Sequence, residues 1–285
     1  MLSLFNFFLL LILIFSLIYF TSYIYTRKFN NSYDKEQYYN NSIELLRIKK
    51  KLYKKDFDDF IDKKIVCLHV KNFYPKKLCN KIIEKINKIN LNESKWKFDE
   101  NTNSDVFIFQ KPFSYVLEDM ITPDEYFNQD KSIINYLYKD IINPVDYFCK
   151  IINHKKIKQN TDYIITNKFP KYKHYTNKFL DSVIRIYKPN SYNKKGLKHI
   201  DYDDTGYYKN CDTFSMNIYL KSCKDGGELE IWKNFLTSIK IKPKNGDLIL
   251  LNTSYYHAVN QPKDTTRISS QSFLLYDSKN IMIRT

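Results

Sequence analysis

Residues 247–269 read DLILLNTSYYHAVNQPKDTTRIS. The run 247–252 centres on four apolar residues, QPKD is a turn signal, and Arg267 opens the next run, RISSQSFLLY. Short runs rich in β-branched and leucine side chains, broken by Pro, Asn and Asp, predict strand, turn and strand. Outward from there the same pattern recurs. SVIRIYKP, TFSMNIYLKS, GELEIW and TSIKIKP follow one another from residue 181, separated by PNS, KDGG and PKNGD. Six such strands predict an antiparallel sandwich or barrel rather than alternating strands and helices.

The glycines agree with this placement. The chain has 285 residues, one alanine (Ala258) and five glycines, and Gly196, Gly206, Gly226, Gly227 and Gly246 all fall between 196 and 246. In a chain so poor in glycine, those present mark backbone positions that need it. Before residue 181 the pattern differs. IVCLHVKNFYP (65–75) predicts a strand and turn, and Leu78, Ile82, Ile83, Ile86 and Ile89 lie on one face of a following helix. Further helices are expected around 130–153, and residues 27–62 read as a polar stalk leading into a weakly amphipathic helix. His154 and His174 are isolated and read as surface or packing residues.

Residues 198–201, KHID, give the quoted stretch a chemical meaning. A His-x-Asp pair alone is weak evidence in a chain rich in Asp. A non-haem Fe(II) centre needs two histidines and one carboxylate on one face, with three positions left open. His199 and Asp201 point to the same side of an extended segment, and His257 supplies the third ligand from a neighbouring strand. Arg267 stands ten residues after His257. Its guanidinium can grip the far carboxylate of a 2-oxoglutarate co-substrate, and Ser269, on the same face, can add a hydrogen bond.

The N-terminus is read separately. Residues 2–25 carry no charged side chain, enough helix at ~1.5 Å per residue to span a ~30 Å hydrocarbon layer. There is no basic n-region and no small-residue cleavage site, so an uncleaved membrane anchor is expected. Arg27, Lys28 and Lys35 follow the segment and favour a cytosolic body. Sequons beginning at Asn30, Asn40, Asn92 and Asn252 would suit a lumenal one. The side of the membrane stays open. The net charge is +15, but lysine is spread along the whole chain, which reads as a solvated surface, with nucleic acid an unlikely partner. Five cysteines show no metal-ligand spacing, and Cys67 with Cys79 could pair.

Taken in order, these features resemble the 2-oxoglutarate- and Fe(II)-dependent dioxygenases of the prolyl 4-hydroxylase-like superfamily. RIYKP resembles the strand whose tyrosine, here Tyr187, touches the co-substrate. KHID resembles the ligand pair, DGGEL a Gly-Gly-Glu turn, KPKNGDLILLN a Pro-x-x-Gly-Asp hairpin, HAVNQP the distal histidine and RIS the co-substrate clamp. VKNFYPKKLCNKII looks like the opening of the domain. Two features depart from the pattern. The gap between Tyr187 and His199 is longer than in typical prolyl hydroxylases, and the clamp is Arg where collagen-type enzymes have Lys.

The resemblance implies a mainly β, α+β fold with a double-stranded β-helix (jelly-roll) core, to which the N-terminal transmembrane helix is added. The expected division is an anchor at 1–26, a stalk at 27–62 and a dioxygenase domain at 63–285 with its core at 181–278. It implies Fe(II) on His199, Asp201 and His257, with 2-oxoglutarate held by Arg267, Ser269 and Tyr187. O₂ and ascorbate complete the cofactor set. The implied reaction is hydroxylation of a C–H bond with release of succinate and CO₂, and the presence of Asp201 favours hydroxylation over halogenation. A membrane-anchored member resembles secretory-pathway enzymes acting on peptidyl proline. Peptidyl lysine, a small metabolite, or a non-catalytic binding module are the alternatives. The Arg-x-Asn-x-x-x-x-x-Arg clamp of nucleic-acid demethylases is not matched by RISSQSFLLY.

Overall fold

A computed structural model of the protein describes residues 11–19, 43–89, 106–109, 121–158, 180–189, 198–200, 212–233, 237–276 and 280–283. The chain divides into two compact units, Met1–Ile43 and Glu44–Thr285. In the first, residues 11–19 are helical. The rest of the expected anchor lies outside the described residues, and among these no helix is long and apolar enough to cross a membrane.

The second unit is mainly β with flanking helices, as expected. Its strands are β1 (Glu44–Lys49), β2 (Ile65–Val70), β3 (Val106–Phe109), β4 (Lys155–Lys158), β5 (Val183–Tyr187), β6 (Asp212–Lys221), β7 (Leu229–Trp232), β8 (Ser238–Ile241), β9 (Leu248–Leu251), β10 (His257–Val259), β11 (Arg267–Tyr276) and β12 (Asn280–Ile283). The helices are α1 (Lys54–Ile61), α2 (Lys76–Asn87), α3 (Pro123–Phe127), α4 (Ser132–Tyr138) and α5 (Pro144–Ile152). Nine strands form one sheet in the order β1-β2-β9-β6-β11-β12-β4, with β5 also pairing β11 and β3 pairing β5. Three form a small antiparallel sheet, β10-β7-β8. The six strands expected after residue 181 are all present. Within residues 27–62, β1 pairs in parallel with β2 and α1 buries Phe57 and Phe60.

Strand alternation divides the large sheet into two chemically different faces. Phe214, Met216, Ile218 and Leu220 of β6 point to one side, with Ile184 and Ile186 of β5, Leu248 and Leu250 of β9, and Ile268 and Leu274 of β11. There they pack against Phe57 of α1, Cys79, Ile82 and Ile86 of α2, Leu137 of α4 and Phe148 of α5. Phe57 meets Phe148, Phe214 and Tyr276 edge-on. His154, isolated in sequence, packs on the Phe57 and Tyr276 rings. Cys67, Cys79, Cys149 and Cys223 are buried free thiols, so the pairing of Cys67 with Cys79 is not made. Burial pushes the thiols of Cys79 and Cys149 up to about 12.

The opposite face carries the intervening residues, among them Ser215, Asn217 and Tyr219 of β6, Arg267, Ser269 and Gln271 of β11, and Arg185 and Tyr187 of β5. All three described glycines have positive φ: Gly226 at 72°, Gly227 at 68° and Gly246 at 86°. Gly246 shows why. A Cβ there would lie 2.4 Å from the Tyr74 carbonyl oxygen, and the residue's own backbone bonds both Tyr74 and Tyr219.

Candidate active site

The polar face of the large sheet holds a carboxylate-shaped site. Arg267 opens β11 directly opposite Tyr187 of β5, and a register shift between Ile268 and Ser269 sets it against the end of β6. Its Nη2 donates to the Tyr219 hydroxyl at 3.0 Å. Its guanidinium carbon lies 4.6 Å from the Tyr187 ring centroid and 4.8 Å from that of Tyr219. Two aromatic faces thus bracket one cation in a buried setting, where such contacts are strongest. Burial pushes the Tyr219 hydroxyl above the ordinary phenol range, the charge of Arg267 working the other way. The phenol therefore keeps its proton at neutral pH. It can accept from Arg267 and still donate to a bound anion. Ser269, two residues along the same face, is buried.

The turns around this grip are tight. The Cys223 thiol donates to the Gly226 carbonyl at 3.2 Å. A Cβ on Gly227 would lie 2.3 Å from the Cys223 sulfur and 3.5 Å from Cδ of Arg267. The Gly-Gly turn read from the sequence therefore lets the chain pass beside the arginine stem. Tyr219 is held from behind. Its N–H donates to the Asp247 carbonyl at 3.0 Å, and its carbonyl accepts from the Gly246 N–H at 2.7 Å. The Asp247 carboxylate takes hydrogen bonds from the backbone N–H groups of Asn72 at 2.8 Å and Lys244 at 2.9 Å. It also lies 2.8 Å from Nε2 of the buried His69. Burial alone would push this carboxyl up, but these bonds more than offset it and hold it below the usual range.

The two candidate histidines come together on the small sheet. His257 begins β10, and His199 bridges to it with N–H to carbonyl distances of 3.0 and 2.8 Å. Their ring centroids are 4.4 Å apart and tilted by 52°. His257 is buried, and its Nδ1 lies 2.9 Å from the Tyr255 carbonyl oxygen. That contact requires the proton on Nδ1 and leaves Nε2 as a lone-pair donor, the tautomer a metal ligand needs. Two imidazoles on bridged segments, one with its tautomer set, fit a divalent cation. Arg267, Tyr219 and Tyr187 fit a carboxylate. Asp201 lies outside the described residues, so the ligand set is described for its histidines alone.

Tyr219 is absent from the sequence-based site. It is one of 25 tyrosines, set in an apolar strand, and its only signal is the alternation that puts it with Ser215 and Asn217. The open cleft of about 790 Å³ bordered by Tyr138, Asp146 and Asp181 shares no lining residue with this site.

Residues 186–275 match the family model described as the 2OG-Fe(II) oxygenase superfamily. No curated protein matches the chain. Among solved structures, it is similar to an N-substituted L-amino acid dioxygenase from Burkholderia ambifaria AMMD, at 12% identity and a TM-score of 0.51, over 81% of this chain and 91% of that one. The same enzyme in complex with alpha-KG gives 13% identity and a TM-score of 0.50, over 81% and 90%. The viral collagen prolyl hydroxylase of Paramecium Bursaria Chlorella virus-1 gives 20% identity and a TM-score of 0.38, over 72% and 93%.

Proposed function

We propose, from the premise that the chain is a 2-oxoglutarate-dependent dioxygenase of the 2OG-Fe(II) oxygenase superfamily, that it hydroxylates a C–H bond of a protein-borne or small-molecule substrate. The observation that carries this reading is the pairing of two different grips in one domain. A histidine pair with one tautomer set stands on the small sheet, and a buried arginine flanked by two tyrosines stands on the large one. We read the two sheets as the halves of a double-stranded β-helix.

His199 and His257, with Asp201 beside them in sequence, would hold Fe(II). Arg267, Tyr219 and Ser269 would hold the 5-carboxylate of 2-oxoglutarate, with Tyr187 stacked on the arginine. Bound together with O₂, these groups supply the oxidising power for C–H hydroxylation, with succinate and CO₂ released, and ascorbate would keep the iron reduced. The chain's own part is orientation. The backbone carbonyl of Tyr255 fixes the His257 tautomer. Tyr187 and Tyr219 fix the plane of the guanidinium and keep water from it.

Peptidyl proline is the first substrate to test, on the order of the motifs, followed by peptidyl lysine and small metabolites. The charge-free run 2–25 supports single-pass anchoring in an endomembrane such as the endoplasmic reticulum. Glycosidase-sensitive mobility of the expressed protein would place the body on the lumenal side.

The decisive assay measures CO₂ release from labelled 2-oxoglutarate with Fe(II) and ascorbate, with and without peptide pools. Wild-type protein should turn over, and His257→Ala and His199→Ala should fall to background. Failure of wild type to bind iron or to release CO₂ under any condition would overturn the enzyme reading in favour of a binding module.

A further inference from the structure

The first histidine is described within residues 198–200, whose outer side is occupied. Neighbouring side chains on an extended segment alternate, so Lys198 and Ile200 face away from His199. On that side the Lys198 ammonium lies 4.9 Å from the ring centroid of Trp232 and 4.9 Å from that of Tyr256. The two rings ride on adjoining strands. Trp232 ends β7 and Tyr256 immediately precedes β10, and the Trp232 N–H donates to the Tyr256 carbonyl at 2.9 Å. Glu230 stands two residues before Trp232, on the same face of β7, and its buried carboxyl accepts from the Ser238 hydroxyl at 2.7 Å. An aromatic pair backed by a carboxylate is a seat for a cation.

We propose that Lys198 is a positioning residue for the metal site: seated on Trp232 and Tyr256, it pins the outer side of residues 198–200 and so turns His199 inward, opposite His257. The inference rests on reading the two histidines as ligands. Among the described residues the bridge to His257 sets the segment's distance from β10, and one such residue pair offers little resistance to rotation about the segment's own axis. A weight on the outer face supplies that resistance. Tyr256 is also the residue before His257, so one contact ties the outer flanks of both ligands together. A cation–π contact of this kind is worth roughly 2- to 30-fold in an equilibrium.

The test uses Co(II), a redox-stable stand-in for Fe(II), titrated into the full chain and followed by its d–d absorption. Lys198→Met, which keeps the stem and removes the charge, should weaken Co(II) binding about 3- to 30-fold and alter the band shape. Lys198→Arg should stay within about 2-fold, because it keeps a stacking cation. Trp232→Leu should weaken binding similarly, and the double variant should be no worse than either single change. Should Lys198→Met fail to fold by circular dichroism, Trp232→Leu and Tyr256→Leu carry the same comparison. Unchanged affinity and spectrum in Lys198→Met, with binding lost in His257→Ala, would overturn this role and leave the ligand assignment standing. Absence of Co(II) binding by wild type would overturn both.

Discussion

The two halves of the site are built to different degrees of rigidity. Arg267 and Tyr219 belong to β11 and β6, which pair along most of their ten-residue lengths inside a nine-stranded sheet. Their backs face the helix-covered core. Among the described residues, His199 joins the small sheet through a single residue pair. The carboxylate grip is therefore preorganised by the fold, whereas the metal grip relies on local contacts for its orientation. Binding energy is lost to ordering only where groups are not already ordered. Mutations at the carboxylate grip should thus act through the contacts removed, and those at the metal grip through geometry.

Three changes would break or sharpen that contrast. The largest effect is expected at the guanidinium. Arg267→Ala removes a charge-assisted grip and should raise the Kd for 2-oxoglutarate by roughly 10- to 100-fold, leaving Co(II) affinity within about 2-fold. Isothermal titration of each ligand would measure both, and equal losses in the two would contradict a divided site. A smaller loss is expected from Tyr219→Phe, which deletes one hydroxyl and keeps the stacked ring. A 2-oxoglutarate Kd raised about 3- to 10-fold is expected, in line with one hydrogen bond.

The smallest is a pH effect at the hairpin behind Tyr219. The Asp247 carboxyl sits below its ordinary value of 3.8 when folded. Its contribution to stability is therefore fully present above that value and lost as the pH falls through the folded one. Asp247→Asn should lower the melting temperature at pH 7, and its gap from wild type should close below about pH 4. A gap independent of pH would show that the ionised Asp247 carboxylate is not what holds the hairpin.

Most strands were legible as short β-branched, leucine and aromatic runs between turn signals, and where one face is polar the run alternates as well. β6 shows it plainly, with Phe214, Met216, Ile218 and Leu220 on the core side. β1 was not legible. Its six residues, ELLRIK, alternate only loosely; it pairs in parallel with β2 across a helix, and no local pattern reports a parallel partner. β10 is three residues long, too short to show a period. In the site, His257 and Arg267 could be found because their chemistry is rare in an apolar run. Tyr219 could not, because a tyrosine in a strand is ordinary until a cation is placed beside it. Lys198 was hidden for the opposite reason: lysine is everywhere in this chain, and only the two rings on neighbouring strands single one out.

The four buried thiols have a practical consequence. None of the four is paired, and a free thiol can be probed chemically where it sits. Each thiol is also kept protonated by its burial, and the thiolate is the reactive species. Cys79 and Cys149 face the core from α2 and α5, Cys67 is buried in β2, and Cys223 lies at the turn that passes the Arg267 stem. Alkylation can reach each only when its own surroundings part, so the chain carries its own clocks for how often the core and the site breathe.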